Sequence, residues 1–365
     1  MKTTVSQVDL ALASRMIRPL LERNGLSLFG QVRLDVAGSN VSLAGGNENM
    51  QLTCRFAGET GADGMAMLPG AYLDRFAGTV GGRVALEDIS KGRVRMRSEC
   101  STFCMSVIDG PYPVMDGPKD GEAVKLEMPG TELREMLRKV RFAAAKDSTR
   151  AVLGGVLMEF EGGKVAMTAT DGRRLAHVEM DRETVPAGSP LMVTLPMKLV
   201  ETLCAILGAE SVSIVADAQA VRVVSDGWTL VAKVLADAYP NWRRVVPESP
   251  AHRAAVGREA FLDAMRAAAL ALDAGTEKTV SVSLQNGRAT FRARGQNTTG
   301  ETQSAECEMP PDERVTFHFN PDFLADALGC VDDDDIRIEY DAAEAPVVLK
   351  CSLPWMTVIM PQRSR

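Results

Sequence analysis

The amino-acid sequence predicts an α+β protein of three similar domains, each with two helices packed on antiparallel sheets. Two observations lead to it. Six times along the 365 residues a short strand-like segment opens into an amphipathic stretch. The apolar spacing then switches from a period of about 3.6 to one of about 2, as a helix followed by half-buried strands requires. The units also pair, each pair taking up roughly 120 residues, the mark of an internally repeated architecture. This sets domains at residues 1–121, 122–249 and 250–365, with boundaries near Asp120-Gly121 and Glu248-Ser249-Pro250.

The first unit of each pair opens with Lys2–Val5, Val124–Met128 and Arg253–Val256. Its helix is expected near Gln7–Leu21, Thr131–Ala145 and Arg258–Leu272. Threonine is a favoured N-cap, which suits Thr131 to a helix start. The second unit opens with Met67-Leu68-Pro69, Val193-Thr194-Leu195-Pro196 and Phe317-His318-Phe319-Asn320-Pro321. Its helices run through Tyr72–Phe76, Met197–Leu207 and Asp322–Leu328. Proline has a fixed φ and no N–H to donate, so Pro69, Pro196 and Pro321 are expected in first helical turns.

After the second helix of each pair, Arg83–Glu87, Ser211–Val215 and Asp335–Glu339 occupy matching places as strands. Second strands follow in Arg93–Arg97, Ala220–Val224 and Pro346–Lys350, and third strands in Thr102–Ile108, Trp228–Leu235 and Trp355–Met360. After the first helix, Gly155–Glu161 then Lys164–Thr168 match Thr279–Leu284 then Arg288–Arg292.

Composition narrows the function. A chain that is 45% hydrophobic and 24% charged is an ordinary globular protein. No apolar run approaches the roughly 20 residues of a membrane span. The start, MKTTVSQVDL, lacks an apolar signal core, so a cytoplasmic protein without a membrane partner is expected. The seven cysteines include no Cys-x-x-Cys pair and read as reduced core residues. His177, His252 and His318 lack ligand spacing, so no metal is expected. Asp332-Asp333-Asp334-Asp335 reads as a solvated acidic loop, since four consecutive carboxylates cannot all face one ion. Neither a G-x-x-x-x-G-K-[ST] nor a G-x-G-x-x-G motif is present, and no nucleophile and base stand together. No cofactor, no catalytic residue and no 3'-5' exonuclease activity are expected.

The net charge of −7 is unevenly spread. Lys and Arg against Asp and Glu number 13 and 13 in residues 1–121, 16 and 17 in 122–249, and 12 and 18 in 250–365. The acidity lies in the last third, which leaves the earlier helices able to meet an anionic partner.

Three stretches carry more than pattern. Ala169-Thr170-Asp171-Gly172-Arg173-Arg174-Leu175-Ala176 is a tight-turn sequence closing a strand. The others are Tyr239-Pro240-Asn241-Trp242-Arg243-Arg244-Val245-Val246-Pro247 and the terminal Val358-Ile359-Met360-Pro361-Gln362-Arg363. In this order, with the threefold pattern, they resemble the bacterial sliding clamp, the β subunit of DNA polymerase III. The resemblance covers the whole chain.

That resemblance implies a DNA clamp fold: a head-to-tail homodimer ring whose six domains line a central hole with helices and carry sheets outside. It implies a processivity factor, not an enzyme, that encircles duplex DNA without reading sequence. It also implies a groove between the central and C-terminal domains that takes short linear motifs of the polymerase, clamp loader and repair factors. The matching groove positions are Leu153, Thr170, Gly172, Arg173, Arg174 and Leu175, then Pro240, Arg244 and Val245, then Val358, Met360, Pro361, Gln362 and Arg363. Leu153, Leu175, Val245, Val358 and Met360 would supply burial, with arginines at the rim orienting the peptide.

For DNA the resemblance points to Arg23, Arg138, Arg141, Lys146, Arg150 and Lys198. Arg15, Arg18, Arg134 and Lys139 lie on the same expected helices and can reach phosphates. Some positions depart from the family pattern. Ala71, Ala151 and Val152 stand where clamps often carry DNA-contacting or aromatic residues, and Ser364-Arg365 extend past the usual end. Gln362 replaces a frequent methionine, which is expected to make the groove floor more polar. The alternative reading is a divergent paralogue or phage-type clamp that binds peptides without serving as the main replicative ring.

Overall fold

The computed structural model describes all residues except 24–26, 91, 109, 120–122, 148, 183–184, 186–189, 274–277, 353 and 364–365, and the side chains of 304–305. The expected boundary at Asp120-Gly121 lies outside the described residues, as do Ser364 and Arg365.

The first repeat runs β1 (Lys2–Ser6), α1 (Gln7–Ile17), β2 (Gln31–Ala37), β3 (Asn40–Gly46), β4 (Met50–Ala62) and β5 (Gly64–Pro69). It continues with α2 (Gly70–Thr79), β6 (Arg83–Ser90), β7 (Arg93–Arg97) and β8 (Thr102–Ser106). The second comprises β9 (Val124–Pro129), α3 (Gly130–Arg141), β10 (Gly155–Glu161), β11 (Lys164–Thr170), β12 (Arg174–Asp181) and β13 (Leu191–Pro196). Then come α4 (Met197–Ile206), β14 (Ser211–Ala216), β15 (Ala220–Ser225) and β16 (Trp228–Lys233). The third has β17 (His252–Gly257), α5 (Arg258–Ala269), β18 (Val280–Gln285), β19 (Arg288–Arg294), β20 (Thr299–Glu308) and β21 (Arg314–Phe319). It ends with α6 (Pro321–Leu328), β22 (Asp335–Tyr340), β23 (Val347–Lys350) and β24 (Trp355–Ile359).

Differences from expectation fall at element ends. α1 stops at Ile17 instead of Leu21, because Pro19 lacks the N–H a further turn needs, and a short 3₁₀ turn at Arg18–Leu20 follows. α5 stops at Ala269 instead of Leu272, where Leu270, Ala271 and Leu272 donate three residues back and tighten the last turn. α3 likewise ends at Arg141, short of Ala145. Pro321 is the first residue of α6 as expected, whereas Pro69 and Pro196 are the last strand residues directly before α2 and α4.

The chain forms two compact units, Met1–Thr131 with Glu201–Val234, and Glu132–Val200 with Leu235–Arg365. Each holds one sheet of twelve strands. In the first the order is β8-β7-β6-β1-β4-β16-β15-β14-β9, with β2, β3 and β5 branching from β4. In the second it is β13-β10-β11-β12-β24-β23-β22-β17-β20-β19-β18-β21. Two seams join neighbouring repeats: β4 pairs with β16, placing Gln51 opposite Val231, and β12 pairs with β24, placing Leu175 opposite Val358. Alternate strand residues such as Val84, Leu86, Val94 and Met96 are buried, as are the helix residues Leu10, Ile17, Leu73 and Ala77.

The β3–β4 turn depends on one glycine. A Cβ on Gly46 would stand 2.1 Å from the Met50 carbonyl oxygen, a backbone atom that cannot swing away. Gly46→Ala is therefore expected to lower unfolding free energy by about 2 kcal/mol or more in denaturant titration. An unchanged midpoint would show that the turn can open without loss.

Candidate peptide groove and nucleic-acid interface

The turn between β11 and β12 is built by its own side chains. The Asp171 carboxylate accepts from the N–H groups of Arg173 (2.9 Å) and Arg174 (3.0 Å), and Gly172 takes φ +86°. Thr170 Oγ1 accepts from the Gly172 N–H at 3.1 Å and donates to the Arg174 carbonyl at 2.6 Å. The Thr170 N–H in turn donates to the Tyr239 hydroxyl at 3.0 Å, which ties the distant Tyr-Pro segment to the hairpin.

Strand pairing brings the third stretch to the same place. Beyond the Leu175–Val358 pair, the Met360 N–H donates to the Arg173 carbonyl at 2.9 Å. Leu157, Leu175, Trp242, Val348 and Val358 form one buried cluster with Tyr239, Val246 and Met356 packed against it. Val245 and Met360 remain 50% and 40% exposed, while Pro240 and Pro361 are half-buried and Gly172, Arg173, Arg244 and Arg363 are exposed. Leu153 is half-buried in a short turn at Ala151–Gly154. The three stretches therefore converge, with an apolar floor and exposed apolar side chains beside it.

Arg174 is not a rim residue. Its side chain is buried, with Nε 3.1 Å from Asp171 and Nη1 2.7 Å from Asp326 on α6. The guanidinium also lies over the rings of Phe323 (4.4 Å) and Phe142 (5.4 Å). Removing a cation from water costs several kcal/mol unless it is paired, and here two carboxylates and two aromatic rings meet it. Gln362 is half-buried, its N–H donating to the His318 carbonyl and its Oε1 accepting from Thr279 Oγ1, both at 2.7 Å.

Trp242 shows how the floor is held. Its Nε1 donates to Glu159 Oε2 (3.0 Å), and Arg243 donates to Glu159 Oε1 (2.9 Å) while lying 4.6 Å from the indole centre. Glu159 is only 3% exposed, so a buried carboxylate anchors the Trp-Arg pair. The His177 ring lies 4.4 Å from the indole and shares a 2.9 Å hydrogen bond with Thr168. Burial holds the His177 pKa down to about 4, against the opposing pull of Glu179. Glu159, His177, Tyr239 and Trp242 were not among the sequence-derived groove residues. Tyr239 and Trp242 were visible inside the quoted motif; Glu159 and His177 had no sequence signal.

Among the basic residues, Arg23, Arg141, Lys146, Arg150 and Lys198 are exposed, as are Arg15 and Arg134. Arg138 is bound bidentately by Glu135 and touched by Asp332, and the Glu135 hydrogen bond raises its pKa. Lys139 is 8% exposed and departs from the expected solvent-facing row. Asp326 and Asp322, on a helix without cations, are the partners of Arg174 and Lys278. Of the acidic run, Asp332 pairs with Arg138 and Asp333 accepts from the Ser352 N–H. No three His, Cys, Asp or Glu side chains are grouped for a metal among the described residues. Cys54, Cys307, Cys330 and Cys351 are buried, whereas Cys100 and Cys104 are exposed because they belong to an edge hairpin rather than the core.

The fold is that of the DNA clamps. It matches the DNA polymerase III subunit beta of Pseudomonas aeruginosa at TM-score 0.93 and 22% identity, and the beta subunit of Streptococcus pyogenes at 0.93 and 16%, each covering 100% of both chains. A beta sliding clamp of Synechococcus elongatus is 26% identical over 366 residues, 96% of this chain and 92% of that one. The clamp of Treponema pallidum aligns over 233 residues, 62% of each chain. Family models for the central and C-terminal domains of the DNA polymerase III beta subunit match residues 127–241 and 243–363. The chain belongs to the bacterial DNA polymerase III β subunit family and is a DNA sliding clamp. No helix of the described residues is long and apolar enough to cross a membrane.

The His177 environment gives a pH dependence. Its folded pKa, about 4, is below the ordinary 6.5, so as pH falls the unfolded chain takes up the proton first. The resulting stability is complete above pH 6.5 and lost progressively down to pH 4. The loss is up to about 3 kcal/mol. Melting temperatures across this range should fall for the native chain and fall less for His177→Gln; parallel curves would assign the loss to other groups.

Proposed function

We propose that this clamp is a ring-shaped processivity factor of two copies arranged head to tail, with the repeats 1–121, 122–249 and 250–365 as its N-terminal, central and C-terminal domains. The observation that carries the ring is strand equivalence. β16 and β24, each the third strand after a repeat's second helix, pair with β4 and β12 of the neighbouring repeat. Their counterparts β8 and β20 remain: among the described residues β8 pairs only with β7, and residues 299–303 of β20 only with β19. Pairing β20 of one copy with β8 of the next satisfies both edges, and a heterologous contact of this kind closes a ring. The registers Gln51↔Val231 and Leu175↔Val358 translate to Thr299 opposite Cys104 of the second copy. Glu301 then meets Thr102, beside Arg97 on β7. The exposed Phe103, stacked with Tyr72, would face Gly300.

The ring's partners follow from its surfaces. Duplex DNA is gripped without sequence selection, since exposed arginines and lysines, on helices at Arg141 and Lys198 and in segments following helices at Arg23 and Lys146, meet phosphates and not base edges. Replacing Arg23, Arg141, Lys146 and Lys198 with alanine should weaken association at low salt and reduce the salt slope by about one per lost phosphate contact. The linkage assay uses nicked and linearised circles. Retention on linear DNA equal to that on nicked circles would contradict encirclement and favour a peptide-binding paralogue. No catalysis is expected, and neither DNA degradation nor ATP hydrolysis should accompany the purified protein.

The convergence of Thr170–Leu175, Pro240–Val245 and Val358–Arg363 supports a groove for short linear motifs of the polymerase, clamp loader and repair factors. A ligand's leucine or aromatic side chain would pack on the floor of Leu175 and Val358 against Val245 and Met360, each burial contributing roughly 1.5–3 kcal/mol at most. Deleting Met360–Arg365 should weaken binding of a labelled polymerase-tail peptide by about 30- to 1,000-fold. Equal affinity of the deletion and the full chain would show that the peptide binds elsewhere.

A further inference from the structure

The repeats close one internal cleft twice and leave it open once. In the second repeat, Leu235 lies just past β16 and its N–H donates to the Thr194 carbonyl on edge strand β13 at 2.9 Å, making an antiparallel bridge. In the third, Gln362 lies just past β24 and donates to the His318 carbonyl on edge strand β21 at 2.7 Å. Strand register identifies the counterparts in the first repeat. Phe103, Leu230 and Thr357 hold the same place opposite Met96, Val223 and Leu349. Five residues further on, this gives Ile108, Leu235 and Gln362. Met67, Thr194 and His318 each stand three residues before a helix start. An Ile108-to-Met67 bond is therefore expected, and among the described residues no main-chain bond joins them.

At that position the protein instead has a cavity of about 420 Å³, within the size range of ligand sites, lined by Met65, Met67, Asp88, Ile89, Val107 and Ile108. Among the described residues β5 pairs only with β2, so its other edge carries no strand beside the cavity. Met65 and Ile108 are 47% and 38% exposed. The Asp88 carboxylate is engaged by the Met1 amino group at 2.9 Å, and apart from Ser90 the other lining side chains are aliphatic or thioether, interspersed with glycine main chain. Flexible methionines suit a surface that packs against differing side chains.

We propose that this cleft docks an extended, apolar segment of a partner protein, which adds to the free edge of β5 and donates an N–H to the Met67 carbonyl. The occupant's form is set by the other two repeats, where an extended stretch of the chain itself fills the place through the same bond. Strand addition of this kind draws affinity from main-chain bonds and selectivity from alternate side chains. The site is separate from the groove of Leu175 and Val358 and does not depend on it.

The test uses the full chain and a capped synthetic peptide copying residues 231–238, the stretch that fills the cleft of the second repeat. Binding is followed by titration and by amide hydrogen exchange. The peptide should bind saturably and slow exchange in β5. Met65→Arg, at a position 47% exposed, should weaken it by at least about tenfold, while Val245→Arg, in the groove of Leu175 and Val358, should leave it unchanged. Absence of saturable binding, indifference to Met65→Arg, or loss on Val245→Arg would each overturn the proposal. So would an Ile108 amide that exchanges as slowly as that of Leu235 in the free protein, because the chain would then close its own cleft. Uptake of a small apolar dye without the peptide would also count against a strand-like occupant.

Discussion

Strand edges are the constraint on which this molecule depends. A strand with one unpaired side exposes a row of N–H and C=O groups that must be matched, and each repeat presents two such strands toward its neighbours, besides the outer edge at β5, β13 or β21. Within the chain the matching is done by β4 with β16 and by β12 with β24, which turns separate half-sheets into sheets of twelve strands. The same constraint places Leu175 beside Val358, and so creates the apolar floor as a by-product of joining repeats. Architecture and candidate groove thus have one physical origin.

The floor is kept in shape by polar groups that are fully used. Arg174 is enclosed by Asp171, Asp326, Phe142 and Phe323, and Glu159 spends both oxygens on Trp242 and Arg243. A buried ion pair adds little net stability over apolar packing, but removal of one partner strands the other, so such groups act by fixing one arrangement. The turn at Asp171-Gly172 can therefore be short and exposed at its tip while its base is rigid. Neutral His177 beside the indole completes the arrangement without adding a charge.

Much of this was legible in the sequence, for reasons that differ by element. The change of apolar period located all six helices, because each buries one face and is followed by strands that bury one side. Helix ends were less readable: Pro19 marked the stop of α1, but the tightened last turn of α5 is a matter of backbone geometry. β10 is buried on both faces through Phe160, so no alternation distinguished Glu159 from a solvent-facing acid. In the Arg173-Arg174 pair, the buried member is set by the register of β12 and by Asp326, 152 residues away. Asp322 and Asp326 carry no sign in the sequence of their partners Lys278 and Arg174, which lie 44 and 152 residues away.

Equivalence of the two observed seams with the proposed third makes the central claim testable at one atom pair. Cys104 is a native, exposed cysteine on β8, and the translated register sets it opposite Thr299 of a second copy. Mild oxidation of Thr299→Cys, read on a non-reducing gel, should convert the 39.3 kDa chain into a covalent dimer. Adding Cys104→Ser should abolish that product, and Cys100→Ser should not. A chain that stays monomeric on oxidation, or one that cross-links equally well without Cys104, would contradict a ring closed by β20 and β8.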